Sequence, residues 1–501
     1  MEKQGAQQAQ DNGSGVMHSL LHDPRGRMVS VEALMVAGIA LLWFIAALGS
    51  YRRRSGSWCI RTLVWVVYTL IELYAVWSVS FFAILGFTNS ITAYELDDNK
   101  QWMKHFIHLV LYYIYIIVLL QYMSDTFVII SVTLLFTVTI YKNCMRIHAC
   151  VLASESWESS KLLADYMKHE SASNESRYDP ISLAGYNYLV CWAGGRIRSE
   201  PPYYRKQFIA NESVITVDQV WCCDGRLMKS AEGVQLKDVC LSFALYHLLR
   251  RCYFGFSCSE SGLQKTHDLI FKGLLAREED YGRAFKVIQV ELCFLYDFFF
   301  TKYALMYYRE CEIFWATIIS VTLTCLVIVA VTRAHGVYHS LINITTVETK
   351  NADIIITVLI LASLALLDIW QFILYWFSEW GKVSLTCRYV SHFRWQKDRC
   401  FERVLAILCK VPLLPNWQDK IGQYSLLESF QGNRCMRRFN SFIRWSYIMY
   451  LKDQQKMRVN MGVMVNDRKA GIPTIAQTDV KKAIVQSLKA SSGQLSNGLL
   501  S

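Results

Sequence analysis

Long apolar blocks alternate along the chain with polar stretches, and the blocks have the length that crosses a bilayer. Ala33 to Gly49 carries no charge, and Thr62 to Phe87 carries only Glu72. Phe106 to Met123 and Phe127 to Tyr141 are parted by a short polar turn at Ser124 and Asp125, which reads as a hairpin that crosses and returns. Ile313 to Val331 is a clean block, and Ile354 to Phe377 contains Asp368. About 20 residues at 1.5 Å each span the roughly 30 Å of hydrocarbon. The pattern predicts an all-α, polytopic α-helical membrane protein with about six transmembrane helices, near 33–50, 62–87, 105–123, 126–141, 313–332 and 354–377. Ala46 to Ser50 resembles a cleavage region, but Arg52, Arg53 and Arg54 follow at once and the leading segment is long, so the first block is read as an uncleaved span.

The polar stretches divide the rest. Residues 1–30 read as a disordered tail, and 31–141 as an N-terminal transmembrane bundle. Residues 142–312 are polar enough to leave the membrane and long enough to bury their own core. Leu241, Leu245, Leu248 and Leu249 recur at helical spacing, with Arg250 and Arg251 placed for the negative end of the dipole. Leu263, Ile270 and Leu274 mark a second helix and Ala284 to Tyr308 a third, while the single plausible strand lies near Val214 to Val217. This middle region is expected to be a mostly helical soluble domain. The aromatics from Leu292 to Tyr308, around Asp297 and Lys302, fit either an interfacial helix or a core helix of that domain. Residues 313–378 hold the last two spans, 379–458 a basic tail with amphipathic helices, and 459–501 a flexible C-terminus.

Composition agrees with a membrane chain. With 53% apolar residues, 14% aromatics and 15 Trp, the chain is too greasy for an ordinary soluble enzyme. The net charge of +11 comes largely from Lys and Arg beside the apolar blocks and in the tail, which points to the cytoplasmic face and away from nucleic acid. The tail bases, Lys382, Arg388, Arg394, Lys397, Arg399, Arg403 and Lys410, are expected to touch anionic lipid headgroups of the bilayer. The 16 Cys form no CxxC unit, so reduced thiols are expected, with no zinc module and no disulfide framework.

The topology signals conflict. Arg52 to Arg54 and Arg61 want the first loop inside, the basic tail wants to be inside, and a sequon at Asn343 wants the last loop outside. Six crossings put the first loop and the tail on opposite sides. The assignment with the middle region and tail inside is preferred, and sequons at Asn174 and Asn211 weigh mildly against it.

Candidate chemistry is sparse. Glu72 and Asp368 are intramembrane carboxylates, which either line a cation or proton path or hydrogen-bond a neighbouring helix structurally. His105 and His108 share a helix face, but without a thiol or carboxylate to complete a metal set they read as interfacial anchors; Cys144, His148 and Cys150 read similarly. Asp97 and Asp98 beside Asn99 suit a cation loop or a helix cap. No phosphate loop, nucleophile elbow or HExxH motif is present, so no catalytic residue, cofactor or metal is assigned.

Four stretches carry a resemblance. They are Ser90 to Asn99 (with Thr92, Ala93, Glu95, Asp97, Asp98 and Asn99) followed by Trp102; Lys237 to Leu245 (with Leu241 and Phe243) followed by Leu248, Arg250 and Arg251; Gly273-Leu274-Leu275; and Val290 to Phe299 (with Glu291, Phe294, Tyr296 and Asp297). Together they resemble a plant membrane protein family known only as domain of unknown function 4220. The resemblance implies several membrane helices, a cytoplasmic-looking middle and no assigned activity. Similar proteins carry a further apolar stretch before the Ser90 to Asn99 motif, which would account for the parity conflict. Longer relatives continue into a second domain of unknown function, 594, which this chain is expected to lack, as a truncated gene product would. Three functions follow: a membrane-anchored interaction or scaffold protein with unknown protein partners, which fits best and is not an enzyme; a transporter or channel using Glu72 and Asp368; and a membrane-embedded enzyme.

Overall fold

An apolar segment that leaves water must satisfy its own N–H and C=O groups, and the helix does so within one segment. In the computed structural model, which describes residues 24–52, 58–77, 89, 91–122, 126–172, 178–192, 214–258, 260–277, 281–341, 351–411, 420–421, 474–475 and 478–491, the apolar blocks are helices. They begin with α1 (Pro24–Arg52) and α2 (Trp58–Trp77). The one-turn α3 (Leu96–Lys100) leads to α4 (Trp102–Gln121) and α5 (Thr126–Glu155). The fourth block therefore does not end at Tyr141: its helix runs on for more than three turns, with Ile147 in the bundle core and Met145, Ala149 and Ala153 in the core of the next unit.

Next come α6 (Trp157–Ala172), strand β1 (Leu189–Trp192) and strand β2 (Val214–Thr216), paired antiparallel with a bulge between Leu189 and Cys191. The sequence reading found β2 but not β1, whose four residues are too few for a period to register. Thr216 caps α7 (Val217–Trp221), and Ser230 caps α8 (Ala231–Tyr253) by accepting from the Gly233 N–H. Then follow α9 (Gln264–Asp268), a π-helical turn at Leu269–Leu274, α10 (Tyr281–Phe300) and α11 (Tyr303–Tyr308). These elements share one core with the end of α5. At its centre Phe243, Tyr246, Phe294 and Trp380 meet ring to ring, with centroids 4.8 to 5.9 Å apart. Phe294, Phe298 and Phe299 are buried here, so between the two readings of this aromatic run the core helix is the one observed. Cys252 and Cys258 are paired as a disulfide, against the expectation of reduced thiols.

The chain then forms α12 (Glu310–Leu341) and α13 (Asn351–Phe377). Ser378 caps α14 (Glu379–Ser391), which is followed by α15 (Phe393–Lys397) and α16 (Arg399–Lys410). Trp380, Val383 and Cys387 of α14 insert into the core of the helical unit, so the start of the supposed tail is built into that unit. A separate unit, Trp417–Ser501, contains the short pair β3 (Lys420–Ile421) and β4 (Thr474–Ile475) and the helix α17 (Thr478–Ala490).

Among the described residues three helices are long and apolar enough to cross a membrane, at Glu32–Gly49, Glu310–Arg333 and Ile354–Phe377; Cys59–Ile71 and Trp102–Val118 are shorter apolar stretches. The all-α expectation holds, with three candidate spans among the described residues where about six were expected. These helices pack through Leu42, Ile45, Val64, Ile71, Leu109 and Leu367. Their outer surface is apolar too: α4 exposes Phe106, Ile107, Leu111 and Ile114, and α12 exposes Trp315, Ile319 and Leu326. Apolar side chains on both the packed and the open face are what lipid contact selects.

Candidate functional site

The side chains with the most to explain are buried charges. Lys142 of α5 donates from Nζ to Asp368 Oδ1 of α13 at 2.8 Å, and Ser320 of α12 donates to Asp368 Oδ2 at 2.8 Å. One turn further along α5, Arg146 donates from Nε to the Thr92 carbonyl at 3.2 Å and from Nη2 to the Tyr68 hydroxyl at 3.1 Å. Lys302, in the turn between α10 and α11, is buried with them. Burial, then the charges of Lys142 and Arg146, hold its ammonium well below the usual lysine range.

The Ser90 to Asn99 motif is the strap across this layer. The last carbonyls of a helix have no partner within it. At the end of α10 the strap provides them, since Thr92 N donates to the Phe300 carbonyl and Asn99 Nδ2 to the Phe299 carbonyl, both at 2.8 Å. Ala93 is fully buried, and Trp102 is half-buried against the bundle core. Glu95 and Asp98 form a capping box, with Asp98 accepting from the Glu95 and Tyr94 N–H groups, and Asp97 pairs with Lys100. The cap reading of Asp97 and Asp98 is thus the one observed. Arg52, at the end of α1, donates to the Tyr94 carbonyl at 2.6 Å and stacks 3.7 Å from the Tyr94 ring centroid.

The layer orders the chain. At 1.5 Å per residue, Lys142 stands about 24 Å from the start of α5, Asp368 about 25 Å from the start of α13, and Ser320 about 31 Å from the end of α12. The layer therefore lies at the end of the apolar run of α5 but inside the two candidate spans, with Ser320 about 15 Å from Glu310 and Asp368 about 14 Å from Phe377. Beside it, the Tyr94 hydroxyl donates to the Arg61 carbonyl at 3.4 Å, and the Asn89 N–H donates to Gln371 Oε1 at 3.0 Å.

The other candidates fare differently. Asp368 is held by Lys142 and Ser320, while the Glu72 side chain lies outside the described residues, as do Asn174, Asn211 and Asn343. His105 and His108 are half-buried on α4, and no group of three metal-ligating side chains occurs among the described residues. Leu241 and Phe243 are core, Leu248 packs against it, and Tyr296 rests on Phe300 with ring centroids 4.8 Å apart. Arg250 donates to Tyr308 at 3.1 Å, Arg251 pairs with Glu260, and Asp297 is buried. Glu291 is half-buried, and burial pushes its carboxyl up to about 7. A groove of 330 Å³ lies between the start of α8 and α16, lined by Arg226, Ser230, Glu232, Arg399, Glu402 and Arg403 among others. Lys142 and Arg146 were missed as site residues. The available signal was their four-residue spacing at the end of an apolar run, together with a buried carboxylate that needed a cation.

Residues 65–430 match a family described as Domain of unknown function (DUF4220). No curated protein matches the chain, and no solved structure does. The matched segment holds the strap, the polar layer and the whole helical unit, and the chain belongs to the DUF4220 family.

Proposed function

We propose that the chain is a multi-pass membrane protein that works as a membrane-anchored platform, with its helical unit on the cytosolic face and no chemistry of its own. The observation that carries this is the polar layer, in which Lys142, Ser320 and Asp368 tie α5, α12 and α13 together while Asn99 of the strap holds the end of α10. A common side for the basic first loop and the basic segment after α13 is what retention of Lys and Arg in the cytosol favours. Trp380, inserted beside Phe243 and Phe294, joins the last span to the helical unit without a flexible linker, which suits a surface held at fixed height for a protein partner. Transport would ask Asp368 to exchange ligands, and both of its oxygens are engaged by neighbouring helices, which favours a structural role.

Glycosylation mapping in microsomes tests the orientation. Glycan at Asn343 with none at Asn174 or Asn211 is the expected result. Glycan at Asn174 or Asn211 would put the helical unit outside and overturn the proposal.

A further inference from the structure

Helix α16 packs one face into the protein and leaves the other open. Leu405 and Leu408 are buried with Leu385 and Tyr389, in a cluster that also takes in Trp376 and Phe377, the last residues of α13. The helix therefore lies beside the end of the last span. Its open face carries Cys400, Val404, Ile407 and Val411 at helical spacing, with Ile407 54% exposed, and Phe393 of the adjoining α15 is 67% exposed. On α13, Ile369, Trp370 and Ile373 are exposed apolar side chains, and Phe377 follows one turn after Ile373. A helix packed at Phe377 is thus about 6 Å beyond the lipid-facing stretch, at headgroup height.

The charges on this segment are sorted by direction. Arg394, Lys397, Arg399, Arg403 and Lys410 are exposed, with Lys410 3.4 Å from Glu232 and Arg399 and Arg403 on the open rim of the groove beside α8. Glu402 instead turns inward, accepting from the Tyr389 hydroxyl at 2.9 Å, and Glu379 is tucked against Lys382. Asp398 spends one carboxylate oxygen on the Cys400 N–H as the helix cap. An open apolar stripe rimmed by outward bases has the chemistry of an interfacial helix on an anionic membrane.

We infer that α15 and α16 (Phe393–Lys410) dock on the anionic bilayer surface beside α13, with Val404 and Ile407 entering the headgroup zone and Arg399 and Arg403 holding lipid phosphates. This rests on the membrane reading above and names the surface that the cytosolic face meets. A second copy of the chain, or the chain's own C-terminal unit, would cover the stripe whether or not anionic lipid were present.

Cys400 reports the outcome directly. The full chain is reconstituted in nanodiscs of phosphatidylcholine, alone or mixed with phosphatidylserine, and alkylated with maleimide, with each cysteine followed by peptide mass spectrometry. Cys222, exposed on the helical unit, is the internal reference. Cys400 is expected to react roughly tenfold more slowly in the anionic discs, with high salt and the double variant Arg399→Glu/Arg403→Glu each restoring the fast rate. Equal rates in both discs overturn the inference, and so does slow reaction in detergent micelles, which would mean protein covers the stripe. If the chain failed to enter nanodiscs at all, the membrane reading itself would fall, which is a separate result.

Discussion

The polar layer of the bundle and the arginine pair of the helical unit both bury charge, and they do so for different ends. In the layer, Lys142 and Asp368 lie 226 residues apart in the chain, and Arg146 reaches a carbonyl 54 residues away. In the helical unit, Arg251 pairs with Glu260 only nine residues on, and Arg250 sits among Tyr246, Tyr308 and the face of Phe298. The distant pairs hold separate helices at one height, whereas the near pair closes a loop at the end of α8. Burying a pair is weak stabilisation by itself, since desolvation offsets most of the attraction, so the difference lies in what is held in register.

The largest expected effect tests that distinction. Lys142→Met leaves the Asp368 carboxylate buried without its cation and should cost about 3–5 kcal/mol, and Arg251→Met should cost about as much by stranding Glu260. The double variants should then part company. Arg251→Met/Glu260→Met should recover wild-type melting and a single conformation. Lys142→Met/Asp368→Met should recover melting in detergent while cysteine cross-links between α5 and α13 spread over several positions. Equal cross-linking patterns in the two double variants would erase the comparison.

The joint between the regions should respond next. Gly381 lies near the start of α14, where an added Cβ would stand 2.6 Å from the Tyr375 carbonyl oxygen. Backbone cannot swing aside as a side chain can, so Gly381→Ala should cost about 1–3 kcal/mol. Because Trp380 enters the helical unit at this point, limited proteolysis should find that unit loosened while α12 and α13 stay paired. Proteolysis unchanged from wild type would mean that the joint is not needed to hold the unit.

How far these regions were legible in the sequence follows from the same contrast. The apolar helices were legible in kind because apolar periodicity is local, but α8 fills the core with Leu241, Phe243, Ala244 and Tyr246, and Leu245 and Leu248 only pack against it. The family stretches were recognisable as a pattern, but their purpose was not. Asn99 and Thr92 act by meeting the carbonyls of Phe299 and Phe300, about 200 residues away, and nothing in their own neighbourhood announces it. Asp368 was singled out from its cost in hydrocarbon, while its partner Lys142 was taken for a boundary marker because it follows an apolar block. Strand β1 and the inward turn of α14 were missed because a short strand and a basic tail look alike whether they are buried or solvated.

The smallest effect belongs to pH and should arise in the helical unit alone. His247 is buried, and burial, followed by the Arg250 charge, holds its imidazole well below the usual 6.5. The unfolded chain therefore binds the extra proton first, and stability falls as pH drops below 6.5, by at most about 1.4 kcal/mol per unit. Glu291 runs the other way: its carboxyl stands at about 7 against 4.5 when unfolded, so stability falls as pH rises between those values. Being half-buried, Glu291 should contribute the shallower slope. The two oppose each other between pH 5 and 6.5, and wild-type melting should change little there. Glu291→Gln should expose the histidine slope, with melting temperature falling as pH drops to 5. His247→Gln should expose the carboxylate slope, with melting temperature falling as pH rises to 7. Both slopes should persist in Lys142→Met/Asp368→Met, since neither residue touches the layer; a slope that vanished in that background would mean the two regions titrate as one.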